Sequence, residues 1–97
     1  MKIQWAPLAL ERIVEIGAYI YRDNPDAAER WIRRAFARVK QLENFPLSGK
    51  RNREADRDDV RELSWNNYRI IYRTDPGRVS ILTVRHAKQL LPIDEIG

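Results

Sequence analysis

A chain of 97 residues, 43% hydrophobic and 9% aromatic, has the material for one compact core and the length of a single domain spanning 1–97. The lack of cysteine excludes a disulfide scaffold, a thiolate zinc site and a cysteine nucleophile, and a lone histidine leaves no transition-metal ligand set, so neither metal nor other cofactor is expected. Eighteen Lys and Arg against 14 Asp and Glu give a net charge of +4, which suits a nucleic acid or an acidic protein as partner.

Lys2 to Trp5 reads as a short strand, and Pro7 then suits the first position of a helix, where its missing N–H is no loss. From there Ala9, Ile13, Ile16 and Ile20 recur at helical spacing, and Leu10, Val14, Gly17 and Tyr21 repeat it one residue on, which predicts a broad buried stripe. The densest apolar run, Ile16 to Tyr21, is far shorter than the roughly 18 residues of a membrane span, and Met1 to Trp5 lacks the apolar block of a signal peptide. No membrane partner is expected, and the location implied is cytoplasmic. Arg22-Asp-Asn-Pro25 stops one helix and starts another, with Asn24 as cap and Asp26 complementing the positive end of the new helix. Ala28, Ile32, Ala35, Val39 and Leu42 form its apolar face, with Trp31 and Phe36 flanking, while Arg30, Arg33, Arg34, Arg38 and Lys40 supply its polar surface. So short a link predicts an antiparallel helical hairpin, ended at Phe45-Pro46.

Residues 46–59 are polar, mixed in charge and without periodicity, and read as a loop. Alternation begins at Val60: Arg61, Leu63 and Trp65 share one side and Val60, Glu62 and Ser64 the other. Asn66-Asn67 suits a two-residue hairpin turn, because Asn tolerates positive φ. Tyr68, Ile70 and Tyr72 alternate with Arg69, Ile71 and Arg73, and Asp75-Pro-Gly-Arg78 is a turn of the type that places Gly at positive φ. Val79, Ile81 and Thr83 against Leu82 and Val84 predict a strand apolar on both faces, with Gln89 to Gly97 as an extended or short helical tail. Strand, two helices and a three-stranded antiparallel meander make a two-layer α+β domain.

Few side chains in this frame can carry chemistry. There is no glycine-rich phosphate loop, and Ser48, Ser64 and Ser80 sit in no nucleophile-elbow motif. What remains is Arg69 in mid-strand, Arg61 on the strand before it, His86 at the end of the last strand, and the basic loop with Lys50, Arg51 and Arg53. Arg69 either meets a carboxylate such as Glu62 or faces an open groove where it can contact phosphate. Trp5, Trp31 and Trp65 fall at positions that periodicity assigns to packing. A helical hairpin over a sheet is thus expected to present a cationic concave surface.

Ala27-Ala-Glu-Arg-Trp31, Pro46-Leu-Ser-Gly49, Val60-Arg-Glu-Leu63, Tyr68-Arg-Ile-Ile-Tyr-Arg73 and Val79-Ser-Ile-Leu-Thr-Val-Arg-His86, in that order, resemble the RelE/ParE superfamily of toxins from type II toxin–antitoxin systems. The resemblance spans nearly the whole chain. It implies a growth inhibitor silenced by a small cognate antitoxin in a hetero-oligomer, with operator DNA bound only through the antitoxin. One branch cleaves mRNA on the ribosome without metal, and for that chemistry the resemblance implies Arg69, His86, Arg61 and Lys50 as the catalytic set. Ala87 stands where one nuclease branch has tyrosine, and no tyrosine follows Tyr72. Val84-Arg-His-Ala-Lys-Gln89 is nearer to the ParE-like branch, whose members inhibit DNA gyrase, and that target is favoured over ribosome and mRNA. A non-catalytic basic module binding RNA or protein is the reading from a different class. The antitoxin is expected to lay an amphipathic segment across apolar residues of the hairpin or the sheet edge and to set its carboxylates against arginines.

Overall fold

In the computed structural model, which describes residues 1–96, the first and last strands of the chain lie side by side. Gly97, the end of the expected tail, falls outside the described residues. Strand β1 (Lys2–Trp5) leads into helix α1 (Pro7–Asp23) and helix α2 (Pro25–Lys40), followed by β2 (Lys50–Arg51), β3 (Val60–Trp65), β4 (Tyr68–Asp75) and β5 (Arg78–His86). The sheet order is β1-β5-β4-β3-β2, with β1 parallel to β5 and every other pair antiparallel.

The helix starts follow from the residues that predict them, but α2 stops at Lys40, short of the expected Phe45-Pro46, and runs on only as a 3₁₀ turn, Gln41–Glu43. Ala6 gives α1 no side-chain cap, whereas Asn24 Oδ1 accepts from the Ala27 N–H at 3.1 Å at the start of α2. At the turns, Asn66 takes φ 52° and Gly77 φ 73°, the positive values those two positions require. The α1 stripe is narrower than its pattern predicts. Ala9, Ile13 and Gly17 are buried, but Leu10, Val14 and Tyr21 are 42%, 66% and 62% exposed. In a two-layer domain α1 meets β5 below and α2 beside it, at Gly17 against Ile32, and its outer side is left uncovered by the described residues.

The helix-side core joins Ile13, Trp31, Val39 and Leu42 to Leu63, Ile70, Tyr72 and Ile81. The β4–β5 register slips between Ile71 and Tyr72: Ile71 pairs with Thr83 and Tyr72 with Ile81, which leaves Leu82 as an extra residue. This bulge corrects the expected alternation, putting Val84 with Ile81 in the helix-side core and Leu82 in a second cluster beyond the sheet. That second cluster is Val60, Ile71 and Leu82 covered by Leu91 and Ile96, so the tail packs on the far face and ends in a short 3₁₀ turn, Ile93–Glu95.

The segment expected to be a loop holds the edge strand β2, whose two residues are too few and too polar to show periodicity. Its entry is fixed from the core. The fully buried Tyr72 hydroxyl accepts from the Gly49 N–H and donates to the Pro46 carbonyl, both at 2.9 Å. A Cβ on Gly49 would stand 2.6 Å from both the Glu62 carbonyl oxygen and that hydroxyl. Gly49→Ala is therefore expected to cost about 1–3 kcal/mol, as overpacking does, read as a fall in urea midpoint at unchanged slope. Gly77→Ala, with no atom within 4 Å of its Cβ, is expected to show only the backbone cost of its positive φ.

Candidate functional site

Arg69 sits on β4 beside Ile71, on the sheet face away from the helices, across from Ser64 of β3 and Arg85 of β5. Its guanidinium is held from two sides. Nε and Nη2 donate to the two oxygens of Glu62 at 3.0 and 2.8 Å, and Nη1 donates to Glu54 at 3.1 Å while Nη2 reaches the other Glu54 oxygen. Nη1 also donates to the Gln89 carbonyl at 3.1 Å. Only 13% of the Arg69 side chain and 5% of Glu62 remain exposed. Buried Asn52 locks the arrangement, donating to Glu62 at 2.9 Å and accepting from the Ala55 N–H at 2.7 Å. Glu54 in turn accepts the Leu91 N–H at 2.8 Å, which ties the tail to the same cluster.

These contacts set the proton affinities. The Arg69 hydrogen bond, aided by the Leu91 amide against a smaller opposing effect of burial, draws the Glu54 carboxyl down to about 2. Burial pushes Glu62 up, but hydrogen bonds and charge from Arg69 outweigh it and leave the carboxyl below its ordinary value. Arg69 itself is raised, first by Glu62 and then by Glu54. The cluster stays a cation between two carboxylates, one negative charge in excess.

The other sequence-predicted residues do not join it. Lys50, exposed on β2 opposite Glu62, shares with Arg69 and Arg53 a groove of about 440 Å³. Arg61 lies on the helix side of β3, opposite Tyr72, and donates to the Gly49 carbonyl at 2.9 Å. His86 also belongs to the helix side. Its ring stands edge-on to Tyr68 at 5.7 Å, Nδ1 accepts the Lys88 N–H at 3.2 Å, and it lines a cavity of about 650 Å³ with Arg12, Tyr19 and Gln89. The sheet thus separates Lys50 and Arg69 from Arg61 and His86. The expected cationic groove is basic at its rim, and at its floor the one guanidinium is outnumbered by two carboxylates. Among the described residues no group of three His, Asp or Glu is placed to hold a metal ion, and no helix is long and apolar enough to cross a membrane.

Two features escaped the sequence reading. Glu54 is one acidic residue among several in a polar segment, and nothing local marks it as the second partner of Arg69. Glu95 accepts from Thr83 and Arg85 at 2.7 Å and from Arg12 at 3.2 Å, binding the tail to both β5 and α1. Burial pushes its carboxyl up, and the Thr83 hydroxyl with the two arginines more than reverses that.

Residues 3–91 match the family of ParE toxins of type II toxin–antitoxin systems, parDE. The Sinorhizobium fredii protein named "Putative toxin Y4kP" is 44% identical over 92 residues, covering 94% of this chain and 93% of that protein. The chain belongs to the ParE toxin family. Its fold matches a chain of the chromosomal ParDE system from P. aeruginosa at a TM-score of 0.78 with 19% identity, over 91% of this chain and 97% of the other. It also matches a chain of the toxin–antitoxin complex RelBE2 from Mycobacterium tuberculosis at 0.54 with 22% identity, over 88% and 95%. The N-terminal strand, helical hairpin and antiparallel meander expected from the sequence are the fold of this superfamily.

Two outcomes follow for the ion cluster. Arg69→Met strands the buried Glu62 without its cation and is expected to cost about 3–5 kcal/mol, read in urea denaturation at pH 7. Because Glu54 is depressed to about 2 from an unfolded value of about 4.3, its contribution is complete above about pH 5 and fades as pH falls through 4 towards 2. Glu54→Gln is therefore expected to lower stability at pH 7 and to flatten the acid limb of the stability profile.

Proposed function

We propose that this chain is a single-domain cytoplasmic toxin that inhibits DNA gyrase by binding, without catalysis of its own, and that an acidic amphipathic antitoxin silences it. The observation that carries this reading is the division of the four nuclease candidates between opposite faces of the sheet, with Arg69 already bonded to two carboxylates. Phosphoryl transfer on RNA needs a base, a charge-stabilising cation and an acid within reach of one reacting phosphate. Arg69 and Lys50 cannot meet Arg61 and His86 around one atom without taking the sheet apart. An arginine spent on Glu54 and Glu62 also has little field left for a pentavalent phosphate.

The antitoxin surface is supported by the apolar residues that α1 leaves uncovered. Leu10 and Val14 stand one turn apart beside Pro7, around a concavity of about 500 Å³ edged by Glu11 and Glu15. An exposed aliphatic ridge of this kind suits the apolar stripe of a partner helix. Operator DNA is then bound through the antitoxin of the hetero-oligomer.

The purified chain is expected to block supercoiling by gyrase and to leave mRNA on translating ribosomes uncut. The reverse pattern transfers the assignment to the nuclease branch, and growth unaffected by expression without an antitoxin transfers it to a simple binding module. Val14→Glu is expected to weaken the antitoxin complex tenfold or more by titration calorimetry. Its stability should stay within about 0.5 kcal/mol of the parent, since the position is exposed.

A further inference from the structure

Helix α2 carries a second ridge whose chemistry is opposite to that of α1. Arg30, Arg34 and Arg38 follow one another at intervals of four residues, so their side chains line up along one side of the helix. Arg30 and Arg34 are exposed, and among the described residues neither has a carboxylate within ion-pair distance. Among the described residues Arg38 is bonded to neutral groups alone, the Gln41 side chain and the Ser64 carbonyl. Arg33, next to the ridge, pairs with Glu29 on its own helix, and Asp26 lies a turn before the ridge begins. The contrast with β4 is direct. There one arginine takes two carboxylates, whereas here three successive arginines take none.

We propose that the Arg30–Arg34–Arg38 ridge binds the phosphate backbone of duplex DNA, as an activity of the toxin itself that goes beyond any contact made through an antitoxin. Charge complementarity names an anionic partner, and the ridge's composition narrows it. A protein interface needs an apolar or aromatic centre to be desolvated, and among the described residues no large apolar side chain is exposed on this ridge. Trp31 is 8% exposed within the core, and Phe36, though 40% exposed, lies on the other flank beside Trp5 at a ring distance of 4.6 Å. Single-stranded nucleic acid is held by stacking on exposed rings, and the ridge offers none. What it offers is regularity: a helical rise of 1.5 Å per residue sets the first and third arginines about 12 Å apart. That is the axial length of roughly three or four phosphates on one strand of a duplex. Guanidinium groups on such a row bind backbone without reading bases.

The test is fluorescence anisotropy with the full chain and a labelled 20-base-pair duplex of arbitrary sequence, at salt from 50 to 200 mM. The parent is expected to bind at low salt, and Arg30→Gln with Arg34→Gln to weaken binding tenfold or more. The double variant should also reduce the slope of log affinity against log salt by about 2, the loss of two phosphate contacts. Arg30→Lys with Arg34→Lys is expected to keep that slope. Arg51→Gln with Arg57→Gln removes the same charge from the far loop and is expected to change affinity less than twofold. Thermal unfolding of each variant reports that these exposed changes leave the fold intact. Equal weakening by the far-loop variant reduces the effect to net charge and overturns the proposal. So does absence of binding at 50 mM salt, or tighter binding to a single strand or to polyglutamate than to the duplex. None of these outcomes depends on whether gyrase is inhibited.

Discussion

A guanidinium buried in a protein is costly unless its hydrogen bonds are met by opposite charge, and Arg69 meets that condition by drawing three separate stretches of chain together. Glu62 comes from the neighbouring strand, Glu54 from the segment after β2, and the Gln89 carbonyl from the tail. Loss of Arg69 would leave two carboxylates facing each other, and loss of Glu62 would leave the guanidinium without its most buried partner. The far face of the sheet is organised by this constraint. Leu91 and Ile96 are positioned over Val60, Ile71 and Leu82 by a tail whose amide is held by Glu54 at one end and whose carboxylate, Glu95, is held by Arg12 and Arg85 at the other.

On the proposed reading, the same network sets this molecule apart from a catalyst built on the same scaffold. Side chains that share a strand but alternate in direction cannot cooperate, since the period of two sends neighbours to opposite faces. His86 and Tyr68 look towards the helices, while Arg69 looks away. The two helices offer surfaces of unlike character: aliphatic on α1 and guanidinium-rich on α2.

Much of the fold was legible because local and global preferences agree. Asn24-Pro25 ends one helix and caps the next, Asp75-Pro-Gly-Arg78 turns the chain, and the alternation from Tyr68 to Arg73 assigns its faces correctly. Three misreadings have physical causes. The Leu10–Val14–Tyr21 row has the right period for burial, but period alone does not say how many neighbours a helix has. Leu82 breaks the alternation of β5 because a bulge is a property of two strands and is invisible in one. Strand β2 exists through Tyr72, more than twenty residues away, which anchors Gly49 at its start. At the candidate site the sequence offered Glu62 as a partner for Arg69, since cross-strand pairs are local to a hairpin. Glu54 and Gln89 reach it only by tertiary folding, and no spacing announces them.

The parallel pairing of β1 with β5 bears on how the chain is made. Lys2 to Trp5 lie beside Arg78 to Ile81, and the intervening 70-odd residues include every other strand and both helices. On a ribosome the opening strand has no neighbour until β5 emerges, and Ile3 and Trp5 lack much of the core they pack on. Closure of so distant a pair also slows folding once the chain is free. A nascent toxin therefore carries an unfinished sheet until β5 has left the ribosome.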